Sequence, residues 1–175
     1  MKKSIVKFIL GVLISFPLMA MAQTPIDKLY EKYAGKEGFT SVNISPQMFG
    51  LFSEMDVDED DETGAMKKAV KEITGMKILS YEPKDGQELI NFKEEVEKTL
   101  DLEGFEELMV VDSEDGGVKF LVKKKKDKIL EFLMLAGEDD EYTVMSFVGN
   151  MDIETIGQLS KQFGMDQMGG AGKDK

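Results

Sequence analysis

The chain has 175 residues, a formal net charge of −12 and no His, Cys or Trp, and all 22 of its basic residues are Lys. Without His or Cys it can form neither a Ser-His-Asp nor a Cys-His catalytic group, nor an ordinary zinc site. Without Arg it lacks the bidentate clamp for phosphate, and its acidity repels nucleic acid, so we expect no nucleic-acid partner.

Residues 1–22 have the pattern of a secretory signal peptide. Three lysines precede or open an apolar run over 8–19, and Ala20 and Ala22 supply the small side chains that a signal peptidase requires. The run is shorter than the roughly 20 apolar residues of a membrane span. We therefore expect cleavage before Gln23, a periplasmic or secreted location, and no stable membrane insertion of the mature chain.

Helix and strand patterns alternate through the first half of the mature chain. Apolar residues spaced three and four apart predict helices, and short runs that suit a pleated surface predict strands. The predicted helices span 25–34, 46–55, 65–73 and 87–100, and the predicted strands span 39–45 and 76–82. Pro25 and Pro46 suit the first turn of their helices, and Gly104 marks the end of the fourth helical segment.

Two hairpins are predicted in the second half, where the apolar period changes to two. The segments 106–112 and 117–123 flank a turn that contains Gly116, a residue that tolerates positive φ. The segments 128–137 and 141–149 flank a second short turn. These four segments predict consecutive antiparallel strands.

The strand "ILEFLML" is apolar on both sides, which is typical of a central strand that is covered on both faces. We therefore expect Phe132 and Met134 to lie in a central strand of the core. Phe147 is expected to be their neighbour on the next strand.

Asp152 can cap a closing helix over 153–163, and the Gly-rich residues 164–175 are expected to form a disordered tail. Together the elements predict one α+β domain over 23–163. It would contain a mainly antiparallel sheet of five to six strands, with the helices covering one face.

Several segments resemble the DUF4252 family, a family of exported proteins of Bacteroidota with no known function. They are "LYEKYAGKEGFTSVNIS", "MKILSYE", "LMVVDSEDGGVKFLVKK" and "SFVGNMDIETIGQLSKQF". The resemblance spans about residues 25–163 and implies an envelope location and a small α+β fold. It implies no activity, cofactor or catalytic residue for this chain.

The acidic run "DVDEDDETG", 56–64, raises the question of a calcium site. Asp56, Asp58 and Asp60 fit the first three ligand positions of an EF-hand loop. Asp61 stands where the loop needs Gly, and Lys67 stands where it needs the bidentate Glu. We therefore expect a solvated acidic loop without a structural metal, and we keep weak calcium binding at Asp56, Asp58 and Asp60 as an alternative.

The sequence favours a non-enzymatic binding or interaction module with an unknown envelope protein as partner, and no cofactor. A carboxylate-based hydrolase or transferase remains an alternative, because Asp and Glu can serve as general acids and bases. A deep apolar pocket with convergent carboxylates would favour the enzyme. An exposed apolar patch or an open sheet face would favour the binding module.

Overall fold

The structure is a computed structural model that describes residues 24–54, 61–86, 90–114, 116–138 and 140–162, without the side chains of 61–63, 65 and 66. The helices within these ranges are α1 (Pro25–Tyr33), α2 (Pro46–Glu54), α3 (Asp61–Glu72), α4 (Phe92–Thr99) and α5 (Ile153–Gln162). The strands are β1 (Phe39–Ile44), β2 (Ile73–Tyr81), β3 (Phe105–Ser113), β4 (Gly116–Lys125), β5 (Lys128–Gly137) and β6 (Tyr142–Met151).

All six strands form one antiparallel sheet in the order β1-β2-β6-β5-β4-β3. Both predicted hairpins are present as β3–β4 and β5–β6. Phe132 on the inner strand β5 lies directly opposite Phe147 on β6, and each side chain is only 1% exposed. Met134 is also buried. The prediction that Phe132 and Met134 lie in a central strand beside Phe147 is therefore confirmed.

The sheet buries both of its faces, and this corrects the prediction that the helices cover one face. Along β5, Phe132 and Met134 belong to one apolar cluster, whereas Leu133 and Leu135 belong to the other. Helices α2, α3 and α5 cover the first face, and α1 and α4 cover the second. The physical reason is that consecutive apolar residues in a strand point to opposite faces, so each face needs its own cover. The α+β class and the strand count agree with the prediction.

Two helices start at residues several positions away from those predicted. Helix α4 starts at Phe92 rather than at 87, because the Asn91 side chain caps it by accepting a hydrogen bond from the Glu94 backbone N–H at 2.9 Å. Helix α3 starts at Asp61, so its backbone takes up the end of the acidic run. Acidic residues are favourable in the first turn of a helix, where they meet the positive end of its dipole.

The predicted signal peptide, 1–22, and the predicted tail, 164–175, lie outside the described residues. Within the described part of the chain, none of the helices has the length and apolar character needed to cross a membrane.

Candidate functional site

One carboxyl group is buried in the face of the sheet that α1 and α4 cover. Glu131 of β5 is 5% exposed, and it lies on the same side of the strand as Leu133 and Leu135. Ser146 of β6, 1% exposed, donates its hydroxyl hydrogen to Glu131 Oε1 at 2.7 Å. A buried carboxyl group with a single hydroxyl partner is unusual in a core, because an ionised carboxylate loses much of its hydration there.

Burial raises the pKa of Glu131 from 4.5 to about 7. The hydrogen bond from Ser146 and the positive charge of Lys123 favour the ionised form but do not offset the loss of hydration. The charge of Asp27 acts in the same direction as burial, and that of Lys77 acts against it. The side chain can therefore exchange a proton close to neutral pH.

A second polar pair lies beside this carboxyl group. Lys77 of β2 stands opposite Ser146 in the register of β2 and β6, and its ammonium group forms an ion pair with Asp27 of α1. Asp27 Oδ2 also accepts the backbone N–H of Thr24 at 2.8 Å. Burial acts to raise the pKa of Asp27, but the hydrogen bonds from Lys77 and Thr24 outweigh it and lower this pKa. The pair fixes the start of α1 on the sheet.

An open groove of about 390 Å³ reaches this pair from the surface. Its polar lining includes Asp27, Asn43, Ser45, Lys77 and Ser146. Among the described residues that line the groove, Asp27 is the one carboxylate, and it is already paired with Lys77. The groove therefore offers hydrogen-bonding groups to a small polar ligand, but it does not bring two carboxylates together for acid–base catalysis.

A larger open cleft, about 720 Å³, lies at the end of the sheet where the two hairpin turns meet α4. Acidic side chains rim it, namely Glu97, Asp112, Glu114, Glu138 and Asp140, together with Lys93 and Lys119. Within the described residues no three acidic side chains lie close enough together to hold a metal ion. The cleft is polar, so it is not the deep apolar pocket that would favour an enzyme.

Helix α2 carries an exposed apolar stripe. Its members are spaced three and four residues apart, so they lie on one side of the helix: Met48 at 45%, Leu51 at 62% and Phe52 at 43% exposure. Phe49, on the neighbouring side of the helix, is buried in the core. Glu54 is the only charged residue in the sequence of α2. A helix that is apolar on nearly all sides is typical of one that is covered on more than one face.

The contact between Glu131 and Ser146 was not predicted from the sequence, although one signal for a buried carboxyl group was present. Glu131 is a charged residue at an inward position of the strand "ILEFLML". Asp56, Asp58 and Asp60, the residues that were considered for calcium, lie outside the described residues. The absence of a structural metal at those three residues stays a prediction.

We expect millimolar calcium to stabilise the mature chain no more than magnesium does, because the run lacks the Gly and the terminal Glu of a competent loop. Thermal and urea melts with chelator, calcium or magnesium measure this. An ion that binds only the native state, and is present at a concentration of a hundred times its Kd, would raise the free energy of unfolding by about 2.7 kcal/mol. A gain of that size that is selective for calcium and is lost when Asp56, Asp58 and Asp60 are changed to Asn would contradict the prediction.

Comparison with known proteins places the chain in a family but not in a functional class. No curated protein and no solved structure matches it. The family model described as "Domain of unknown function (DUF4252)" matches residues 30–159, which run from α1 to α5 and include Glu131, Ser146 and the whole of α2. Because this match covers well over half of the chain, the protein belongs to the DUF4252 family.

Proposed function

We propose that this protein is a non-enzymatic binding module of the cell envelope, periplasmic or secreted, that recognises a protein partner through the apolar stripe of α2. The observation that carries the proposal is the exposure of Met48, Leu51 and Phe52 on one side of a nearly uncharged helix. On a chain with a net charge of −12, such a surface is suited to a partner that can bury it.

The area of the stripe is large enough to matter energetically. Complete burial of a Leu, Met or Phe side chain stabilises a structure by about 1.5–3 kcal/mol, and each of these side chains still exposes about half of its surface. Covering all three would therefore contribute about 3 kcal/mol. A few buried apolar residues of this kind commonly dominate the affinity of a protein interface.

A carboxylate-based hydrolase or transferase has less support. Glu131 is buried and hydrogen-bonded to Ser146, and Asp27 is paired with Lys77. Within the described part of the chain, neither carboxylate is presented to a substrate together with a second free carboxylate, which acid–base catalysis by a carboxylate pair requires. Neither DNA nor RNA is expected as a partner, because the chain is strongly acidic.

Export is tested by the mass of the mature protein. We expect residues 1–22 to be absent from protein isolated from the envelope or the medium, because their pattern is that of a cleavable signal. Intact-mass spectrometry measures this directly. A chain that still begins at Met1 or Lys2 would contradict the prediction.

The binding surface is tested by site-specific photocrosslinking in the native host. A benzophenone side chain at Leu51 is expected to form a discrete adduct with another protein. The same group at Glu31, exposed on α1 across the sheet, is the matched control and is expected to form none. Adding Met48→Glu and Phe52→Glu should abolish the Leu51 adduct.

Three results would overturn the proposal: no adduct at Leu51, equal adducts at Leu51 and Glu31, or an adduct that survives the two Glu substitutions. An adduct with the mass of two copies of this chain would contradict the proposal of a separate partner protein and would show that the stripe binds a second copy. Urea melts of each variant verify that the fold persists, which is expected because all four positions are exposed.

A further inference from the structure

Met48 is the most exposed methionine among those whose side chains the structure describes. It lies on α2 and is 45% exposed, whereas the other described methionines are buried or half-buried, namely Met76, Met109, Met134, Met145 and Met151. The chain has no Cys, so its sulfur chemistry is confined to methionine thioethers. The rate at which a methionine is oxidised follows its exposure. Met48 is therefore the described sulfur atom that an oxidant reaches first.

The oxidation of a thioether requires only that a peroxide reach the sulfur atom. Hydrogen peroxide transfers one oxygen atom to it: the O–O bond breaks, an S=O bond forms, the sulfur loses two electrons, and the peroxide leaves as water. The product, methionine sulfoxide, is polar. A methionine sulfoxide reductase reverses the change, with two thiols that are oxidised to a disulfide as the oxygen leaves in water. The modification can therefore act in both directions.

The position of Met48 connects this chemistry with the apolar stripe of α2. Leu51 and Phe52 follow it by three and four residues, so a partner that covers them also covers the thioether. A sulfoxide at this position would bring a polar oxygen into an apolar contact, where burial without a hydrogen bond is unfavourable. Phe49, and not Met48, is the residue of α2 that is buried in the core. The oxidation therefore changes the stripe and leaves the packing of the helix on the sheet intact.

We propose that Met48 is a site of reversible oxidation by peroxide, and that its sulfoxide prevents the α2 stripe from binding its partner. This inference rests on the proposed function of the stripe, because it describes how binding there is regulated. Partner binding and oxidation act on the same side chain, so each opposes the other. A bound partner shields the thioether from peroxide, and the sulfoxide weakens the contact with the partner.

Peptide mapping by mass spectrometry tests the site itself. When the mature chain is exposed to hydrogen peroxide, we expect sulfoxide to form at Met48 at least about tenfold faster than at Met134, Met145 or Met151, because the fold shields those three. Unfolding the chain in urea removes the shielding and should make the four rates similar. Equal rates in the folded chain would overturn the proposal.

Photocrosslinking tests the effect on binding. The purified mature chain, with a benzophenone side chain at Leu51, is oxidised, freed of peroxide and irradiated with envelope extract of the host, so that the partner itself is not oxidised. We expect the adduct to fall at least about tenfold and to return after treatment with a methionine sulfoxide reductase. Met48→Leu keeps an apolar side chain without sulfur, and its adduct is expected to survive the same oxidation. Met109→Leu, on β3, is the matched control and should behave as the unmodified chain does.

The outcomes separate this inference from the proposed function. If the unoxidised chain forms no adduct, the proposed function of the stripe is wrong and the regulation is wrong with it. If the adduct forms but survives oxidation, or if oxidation also abolishes it in Met48→Leu, the regulation alone is wrong. Urea melts of the chain before and after oxidation are expected to have the same midpoint. A lower midpoint after oxidation would show that the loss of binding comes from damage to the fold and would overturn the proposal.

Discussion

Replacement of Phe132 by Ala is expected to lower the free energy of unfolding by about 3–5 kcal/mol, the usual range for truncation of a buried Phe. The side chain is 1% exposed on an inner strand of the sheet. Its ring stacks on Phe120 at a centroid distance of 5.8 Å and contacts Phe147 at 6.2 Å. Removing the ring leaves a cavity between three strands that are fixed by their backbone pairing, so the surroundings can relax only in part.

Urea unfolding of the mature chain measures this loss. Val110→Ala is the matched control, because it also shortens an apolar side chain in a strand but one that is 39% exposed at the edge. We expect the control to cost less than about 1 kcal/mol. A loss below about 1 kcal/mol for Phe132→Ala would mean that the ring does not lie in a packed core.

The hairpins could be predicted from the sequence because their pairing is local. The Gly at 116 has a positive φ of 119°, and the alternating residues on either side of the turn determine which of them lie opposite each other. The central position of Phe132 could be predicted from the residues of its own strand, because a strand that is apolar on both sides must be covered on both faces. That same pattern should have excluded helices on a single face.

The candidate site could not be predicted, because it depends on contacts between residues that are distant in sequence. Lys77 and Asp27 are 50 positions apart, and they meet because α1 lies over β2 and β6. Ser146 reaches Glu131 across the β5–β6 pair near an irregularity in register between Ile129 and Glu131. No local periodicity indicates such an irregularity, which changes the residue that each side chain faces.

The largest pH effect on stability is expected from Glu131. Its pKa is about 7 in the folded protein and near 4.5 when the side chain is exposed in the unfolded chain. Below pH 4.5 the group is protonated in both states and does not destabilise the fold. Between pH 4.5 and about 7 the unfolded chain releases the proton while the folded protein keeps it, so stability falls as pH rises. The total loss is about 3 kcal/mol and is complete above the folded pKa.

Other carboxylates change the stability in the opposite direction, since the stability they contribute is lost as pH falls, and they do so at lower pH. The pKa of Glu72 is lowered: burial raises it, but hydrogen bonds from Thr155, Asp152 and Lys128 outweigh burial. The pKa of Asp152 is lowered chiefly by its hydrogen bond with the Thr155 backbone. The stability that these carboxylates contribute is present above their unfolded pKa values and is lost as pH falls through their folded ones. A variant that changes Glu131 alone separates the two effects.

Glu131→Gln removes the titrating group but keeps an oxygen that can accept the hydrogen bond from Ser146. We expect the free energy of unfolding of the unmodified chain to fall by about 3 kcal/mol more than that of the variant between pH 4.5 and about pH 8. Urea melts across this range measure the difference. Ser146→Ala is the second test: because the hydroxyl hydrogen bond favours the ionised carboxylate, its loss should raise the pKa of Glu131 further and extend the fall to higher pH. Parallel pH profiles for the unmodified chain and Glu131→Gln would contradict the prediction, because they would show that ionisation of Glu131 costs the folded protein nothing and hence that water reaches this side chain.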